Sequence, residues 1–475
     1  MSFARNTSKL SLNAVQEHQD QHSCLFEANA VAIVGRAWQT VGQPSRMPVA
    51  WHVCASRRNV STYAKVRPTV IIVCIVCQEM MSIPFCRRST VIQTSNRFSF
   101  FNPGTWHCVL AALLAAIVPL SAAGDVEKTE LGPVRVHIVA RGLEHPWGLT
   151  FLPDGRMLVT ERPGRLRIVD PNGSVSPPLS GLPEITARGQ GGLLDVALHP
   201  GFIDNGLVYL SYAAEGPSGV GTEVARGRLE GNALVGTQTL FRATPKGSGG
   251  RHFGSRLVFH PDGSLFVTLG DRGDRPRAQR LDDHAGSVIR IDDSGGVPPD
   301  NPFVGRSGAK AEIFSYGNRN VQGAAMHPET GELWTHEHGP QGGDELNVIR
   351  AGVNYGWPVI TYGVNYVVGT RIGEGTHKQG MAQPLHYWVP SIAPSGMAFY
   401  TADRFPQWRG NLFIGSLKFR QLVRLELRGE EVVHEERMLE DVLGRIRDVR
   451  QGPDGYLYLL TDADDGVLAR LEPGE

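Results

Sequence analysis

Most of this chain is without cysteine. All six cysteines (Cys24, Cys54, Cys74, Cys77, Cys86, Cys108) precede Asp125. Cys74 and Cys77 form a lone C-x-x-C inside the apolar run 70–77, with no second pair or neighbouring histidine to complete a zinc or redox site. Net charge is also missing, since 47 basic residues balance 47 acidic ones. A neutral chain carries no electrostatic footprint for nucleic acid and no polybasic signal for anionic membranes. No G-x-G-x-x-G opens a βαβ unit, and no Gly-Lys-Ser/Thr phosphate loop is present. No His/Cys cluster has zinc spacing. Nicotinamide binding by a Rossmann domain, P-loop chemistry and structural zinc are thereby left without support. Glycine (56) and proline (31) are abundant instead, which favours many turns and short strands over long helices.

The chain divides into three parts by character. Residues 1–105 show no clear hydrophobic period and read as a poorly structured extension. Residues 106–124 hold an apolar stretch from Cys108 followed by small residues, with Arg87, Arg88 and Arg97 upstream. This has the layout of a secretory signal peptide, and at about 12 residues before Pro119 the apolar stretch is short for a membrane span. Such a segment belongs near an N-terminus, so Met80 or Met81 is the expected translation start, the alternative being a real extension with a membrane anchor. On the first reading the mature chain is periplasmic or secreted, cysteine-free and without a stable membrane span, which suits an oxidising compartment.

Residues 125–475 repeat one pattern, an alternating apolar strand, a turn of the type His/Leu-Pro-Asp-Gly, and a second apolar strand. The copies fall at 148–160, 194–212, 257–268, 323–334, 396–414 and 449–460. Proline presets φ for the first central turn position and glycine accepts the positive φ. The flanking alternation gives each hairpin one face to bury. A lone hairpin is marginal in water, so six copies at intervals of roughly 45–75 residues must bury one another, as in a six-bladed β-propeller. A pair of β-sandwiches with coincidental hairpins is the alternative. In a propeller, loops gather at the end of a central channel, and binding residues sit on loops held by a rigid scaffold.

Five loop segments carry glycine together with polar and charged residues: 188–192 (RGQGG), 249–256 (GGRHFGSR), 316–323 (YGNRNVQG), 337–347 (EHGPQGGDELN) with 354–358 (NYGWP), and the basic residues Lys418, Arg445 and Arg447. From the residues alone, His252 is either a catalytic or a structural histidine, and each basic residue is either a ligand for an anion or a surface charge. Arg445 and Arg447, two apart at a strand entry, share a face. The triplet Arg-Gly-Asp within 270–274 follows a strand and reads as a turn.

In this order, from about Val134 to the C-terminus, these segments resemble those of the soluble quinoprotein glucose and aldose sugar dehydrogenases, which use pyrroloquinoline quinone (PQQ) and calcium. The resemblance implies a six-bladed propeller that oxidises an aldose at C1 to a lactone. It makes His252 the general base, a role suited to an imidazole at neutral pH. It places Arg319 and Asn320 at the quinone and its neighbouring carboxylate, and Lys418, Arg445 and Arg447 at the other carboxylates. Gln190 and Tyr366 complete that pocket. It sets the carbonyls of Gly339 and Pro340 on the cofactor's calcium, and Glu345 with the Tyr355 carbonyl on a second calcium, with Asp344 in support. Members specific for glucose tend to carry Asp just before the catalytic histidine. Arg251 stands there here, which fits the broader aldose branch and puts glucose specificity in doubt.

Two other function classes share the scaffold: a calcium-dependent propeller lactonase or other hydrolase, and a propeller that only binds. Neither needs Arg319, Lys418, Arg445 and Arg447 aimed at one place, and the binding propeller needs no His252. The implied partners are an aldose substrate and an electron acceptor that the residues do not identify. No nucleic acid is expected, and neutral charge with exposed strand edges suits a monomer or a homodimer.

Overall fold

The computed structural model describes residues 126–474. The expected extension at 1–105 and the signal-like segment at 106–124 lie outside them. Six antiparallel sheets follow one another along the chain and form a six-bladed β-propeller. Blade 1 has three strands, Pro146–Phe151, Met157–Glu161 and Arg165–Val169. Blades 2 to 5 have four strands each and begin with Leu193–Leu198, Leu257–Phe259, Val321–Met326 and Pro394–Phe399. Blade 6 begins with Ile446–Gln451, Leu457–Thr461 and Gly466–Pro473, then takes its outer strands, Val134–Leu143 and Val126–Glu127, from the start of the described chain. That pairing of Val134–Leu143 with Gly466–Pro473 closes the ring.

Each of the six repeated hairpins forms the first two strands of one blade, and the first strands contact one another in ring order around the axis. The cores lie between blades. Leu158, Leu166, Val196, Val208 and Leu210, for example, fill the space between blades 1 and 2.

The axis itself is polar and buried. Arg256 Nη1 faces Asp195 Oδ1 at 3.3 Å and Asp448 Oδ1 at 3.0 Å. Arg450 reaches the same two carboxylates at 2.9 and 3.0 Å. Two cations and two anions compensate one another there, as buried charges must. The backbone N–H groups of Leu257 and Leu149 add donors to Asp195 and Asp448. Gly148 and Gly396 leave room for these carboxylates, since a Cβ would stand 2.7 Å from Asp195 Oδ1 and 2.1 Å from Asp448 Oδ1 respectively.

In five blades the pairing of first to second strand slips near its start, between Pro146/Leu149, Leu193/Val196, Val321/Gly323, Pro394/Met397 and Ile446/Asp448. Such bulges bend a strand and re-aim side chains. Trp147, Leu194, Gln322 and Arg447 all fall inside these slips, and all four line the cavity described next. Hydroxyls of neighbouring blades bond carbonyls near them: Ser211 donates to Ser255 O at 2.6 Å and Ser395 to Ile446 O at 2.7 Å.

Candidate active site

A cavity of about 900 Å³ opens at the bulged end of the channel. Its walls bring together Gln190, Asn320, Lys418, Arg445 and Arg447 from three of the five segments singled out in the sequence. Phe253 and Gly254, next to His252, line it too.

His252 holds a left-handed backbone (φ 57°) between glycines and is buried. This conformation is costly for a residue with a Cβ and marks a position fixed by its surroundings. Its backbone N–H donates to Gln190 Oε1 at 2.8 Å. Its ring Nδ1 lies 2.6 Å from Asp271 Oδ1. Asp271 is fully buried, and also accepts from Gly273 N at 2.7 Å and from the Trp357 indole at 2.8 Å. Burial pushes the Asp271 carboxyl up, but its hydrogen bonds, that from His252 foremost, hold it below the ordinary range. An ionised Asp271 accepts only, so Nδ1 carries the proton and Nε2 is left as the basic nitrogen. Burial lowers the His252 pKa, Asp271 opposes that, and the Arg319 charge adds to the lowering. His252 is therefore a neutral imidazole at neutral pH, with a carboxylate poised to stabilise its protonated form.

The basic residues converge as well. Arg447 and Arg445 both reach Asp462 Oδ2, at 3.2 and 2.9 Å. Arg447 also donates to Gln322 Oε1 at 3.2 Å and stands over the Trp147 ring. Burial lowers its pKa, and Asp462 counters this. Lys418 lines the same cavity, and its ammonium rests over Phe419. Asn320 Oδ1 accepts from Gly254 N at 3.2 Å. Arg319 sits deeper, under 10% exposed, over Trp357, with Nη1 donating to the carbonyls of His338 (2.9 Å) and Gly339 (2.6 Å).

Tyr366, expected in the cofactor pocket, is not among the residues that line the cavity. The segment 364–371 turns back on itself through the Val364–Arg371 bridge and the Asn365 N to Thr370 O bond. Tyr366 is left 56% exposed and away from the cavity lining.

The residues expected at calcium lie on and beside blade 4. Glu345 stands directly across the strand pair from Glu337. Both are buried. Burial pushes Glu337 up to about 7, and burial with the Glu337 charge pushes Glu345 well above the carboxylate range. Glu337 accepts from the Arg319 and Asn320 backbone, whereas among the described residues Glu345 has only Asn347, at 3.4 Å. Like charges in such a cross-strand pair are destabilising, and a cation is the natural remedy. Asp344, buried to a pKa of about 6, accepts from Gly339 N, Ser391 and the N–H groups of Ile392 and Ala393, which braces the Gly339–Pro340 turn. Gly339 cannot gain a Cβ, which would meet the Gly343 carbonyl at 2.2 Å. Its carbonyl already accepts from Arg319, and a carbonyl has two lone pairs. Tyr355 is buried, its hydroxyl donating to Val348 O on the Glu345 strand at 2.5 Å. Among the described residues, no three His, Cys, Asp or Glu side chains converge as a metal centre, so ligation here would draw on carbonyls.

Three residues outside the sequence expectation join the site. Asp271 lies inside the segment read as a turn. Asp462 sits in the acidic run 462–465. His338, whose Nε2 is 2.6 Å from Pro394 O, lines the cavity, with burial forcing its pKa down to about 3.

Comparison with known proteins gives the family. The family model described as Glucose / Sorbosone dehydrogenase matches residues 143–470. The chain belongs to this family. Aldose sugar dehydrogenase YliI of Escherichia coli is 48% identical over 75% of this chain and 98% of its own length. The crystal structure of the soluble aldose sugar dehydrogenase of Escherichia coli in the apo form superposes with a TM-score of 0.70, at 48% identity, over 72% of this chain and 100% of that one. The PQQ-bound aldose sugar dehydrogenase of Streptomyces coelicolor is 31% identical and superposes with a TM-score of 0.59 over 71% and 98%.

Proposed function

We propose that this chain oxidises aldose sugars at C1 to lactones, with PQQ and calcium as cofactors and His252 as the general base. The observation that carries the reading is a single cavity lined by Lys418, Arg445 and Arg447 together with Phe253 and Gly254, the residues that follow His252 of the His252–Asp271 pair. A propeller hydrolase or a binding propeller has no use for three basic residues gathered beside such a base.

The residues suit the cofactors. PQQ bears three carboxylates, and Lys418, Arg445 and Arg447 offer cations in a cavity where the carboxylates are Asp462 and Asp464. Gln190 and Asn320 add amides, with Arg319 close behind. Calcium suits the buried Glu345, which otherwise faces Glu337 without a counter-charge, and the Gly339–Pro340 turn. When bound, PQQ supplies the acceptor for the hydride leaving C1, and calcium the Lewis acid that polarises it. His252 Nε2 takes the proton of the anomeric hydroxyl, while Asp271 orients the ring and stabilises the charge it gains. Trp357, through its indole N–H, keeps Asp271 turned toward that ring. Arg447 and Arg445, tied to Asp462, present fixed guanidinium groups that need little reordering on binding.

The same reading makes residues 125–475 the catalytic unit of an exported protein and 106–124 the export signal. Among the described residues, no helix is long and apolar enough to cross a membrane. Reconstitution tests the function: residues from Asp125 onward, PQQ, CaCl₂, a panel of aldoses and a reducible dye. Dye reduction that needs both additions and collapses in His252→Ala is expected. No activity, together with no PQQ spectrum on the dialysed protein, would overturn the proposal.

A further inference from the structure

A second cleft, of about 460 Å³, lies behind the His252 loop, between the segments 245–251 and 272–283. Five basic side chains, Lys246, Arg251, Arg272, Arg277 and Arg280, line it against two acidic ones, Asp274 and Asp283. Three of the cations have partners. Lys246 pairs with Glu223, Arg277 with Asp283 through two bonds, and Arg280 with Asp282. Arg251 and Arg272 have no carboxylate partner among the described residues.

Arg272 is the unusual member. It is only 7% exposed, yet its Nη atoms donate to the backbone carbonyls of Arg251, Gly249 and Val220, and its Nε has no partner among the described residues. Its guanidinium lies 3.4 Å from the centre of the Phe253 ring. Burial, with Arg277 nearby, depresses its pKa to about 9. A buried cation without a counter-ion is costly unless something of opposite charge is supplied. Arg251 is exposed in the same cleft, with its Nε 2.9 Å from where a Cβ on Gly273 would stand. Each residue of the His252–Asp271 pair is thus followed or preceded in the chain by an arginine that lines this cleft.

We propose that this cleft is an anion-binding subsite, in which Arg251 and Arg272 take a small oxyanion, a phosphate or a carboxylate. A guanidinium presents paired N–H donors that match such groups, and five clustered cations raise the local anion concentration. Because Arg272 is bonded to the carbonyls on either side of Gly250, a bound oxyanion braces the loop that carries His252. The site itself does not depend on the sugar-oxidation reading. The oxyanion is either a free anion or a group carried by the substrate.

Calorimetric titration with inorganic phosphate at low ionic strength tests this, first on the purified protein and then with PQQ and calcium added. One saturable site is expected in both states, weakened about tenfold or more by Arg251→Ala and by Arg272→Gln. Lys418→Ala should leave it unchanged. Arg251 is exposed, so its variant reports on the site even should Arg272→Gln fail to fold. Absence of saturable binding, survival of binding in Arg251→Ala, or its loss in Lys418→Ala would overturn the proposal, the last placing the anion in the large cavity. Two sugar arms identify the source. A phosphorylated aldose with a lower KM than its neutral parent, an advantage lost in Arg251→Ala, marks the anion as part of the substrate. Phosphate that binds without competing with either sugar marks it as free.

Discussion

Asp271 Oδ1 stands 2.6 Å from His252 Nδ1, and its other oxygen accepts from the Trp357 indole at 2.8 Å. The carboxylate is thus held on both sides, and the imidazole has one tautomer available. Asp271→Asn keeps the shape and removes the charge that orients and stabilises the ring. The expected result is a fall in kcat of about a hundredfold or more, with little change in melting temperature. Steady-state kinetics on the reconstituted protein, beside a thermal melt, check it.

The pH profile follows from the same pair. A base must be unprotonated to act, so kcat/KM rises with pH through its acid limb and then levels. Burial and the Arg319 charge lower the His252 pKa. The limb therefore lies below the ordinary histidine value of about 6.5. In Asp271→Asn the opposing, raising influence is lost, and the limb moves to still lower pH. A limb above 6.5, or one unmoved by the substitution, would remove His252 from the role.

The six hairpins were legible because their signal is local. Proline, Asp and Gly in the turns at 153–155, 261–263 and 453–455 act on their own backbone, and alternation marks the face each strand buries. Gln190, Asn320, Lys418, Arg445 and Arg447 were legible because the family's motifs carry them in order. Trp147, Leu194 and Gln322 were not, since a bulge sets two residues against one on a partner strand, and no short pattern announces the slip. Asp271 was hidden in a segment that does form a turn, Arg272 and Gly273 both having positive φ. What makes it functional is contact with Trp357, 86 residues away. Tyr366 is the opposite case: its motif is loose, and its loop closes on itself with the ring exposed.

The axial quartet gives a stability prediction. Arg256 is 1% exposed and answers both Asp195 and Asp448. Arg256→Ala leaves two buried carboxylates with Arg450 as their remaining arginine. A loss of about 3–5 kcal/mol is expected. Denaturant unfolding monitored by far-UV circular dichroism measures it. A loss under about 1 kcal/mol would mean that water or rearrangement meets the charge.

Arg447 and Arg445 share Asp462 but differ in burial, with side chains 10% and 47% exposed. A charge-assisted bond is stronger where solvent is excluded. Arg447→Ala is therefore expected to weaken PQQ binding by about tenfold to a hundredfold, and Arg445→Ala by less. Fluorescence titration of the protein with PQQ ranks the two. Equal effects would mean that burial in the cavity does not set the strength of the contact.

Calcium supplies the last test, through the cross-strand pair Glu337 and Glu345. Two buried carboxylates face each other, and the Glu345 side chain has one amide bond. A cation that binds the folded state alone stabilises it by RT ln(1 + [L]/Kd), about 2.7 kcal/mol at a hundredfold excess over Kd. Calcium should therefore raise the melting temperature of the chelator-treated protein by a few degrees. Glu345→Gln puts a neutral amide where burial and Glu337 already disfavour the charged carboxylate, and takes away the charge that an ion would pair with. That variant should melt no lower than the wild type without calcium, and should lose most of the rise when calcium is added. Calorimetric melts with and without chelator separate the outcomes. A calcium-dependent rise that survives Glu345→Gln in full would place the ion elsewhere, and a variant that melts lower without calcium would show that Glu345 is held by something other than an ion.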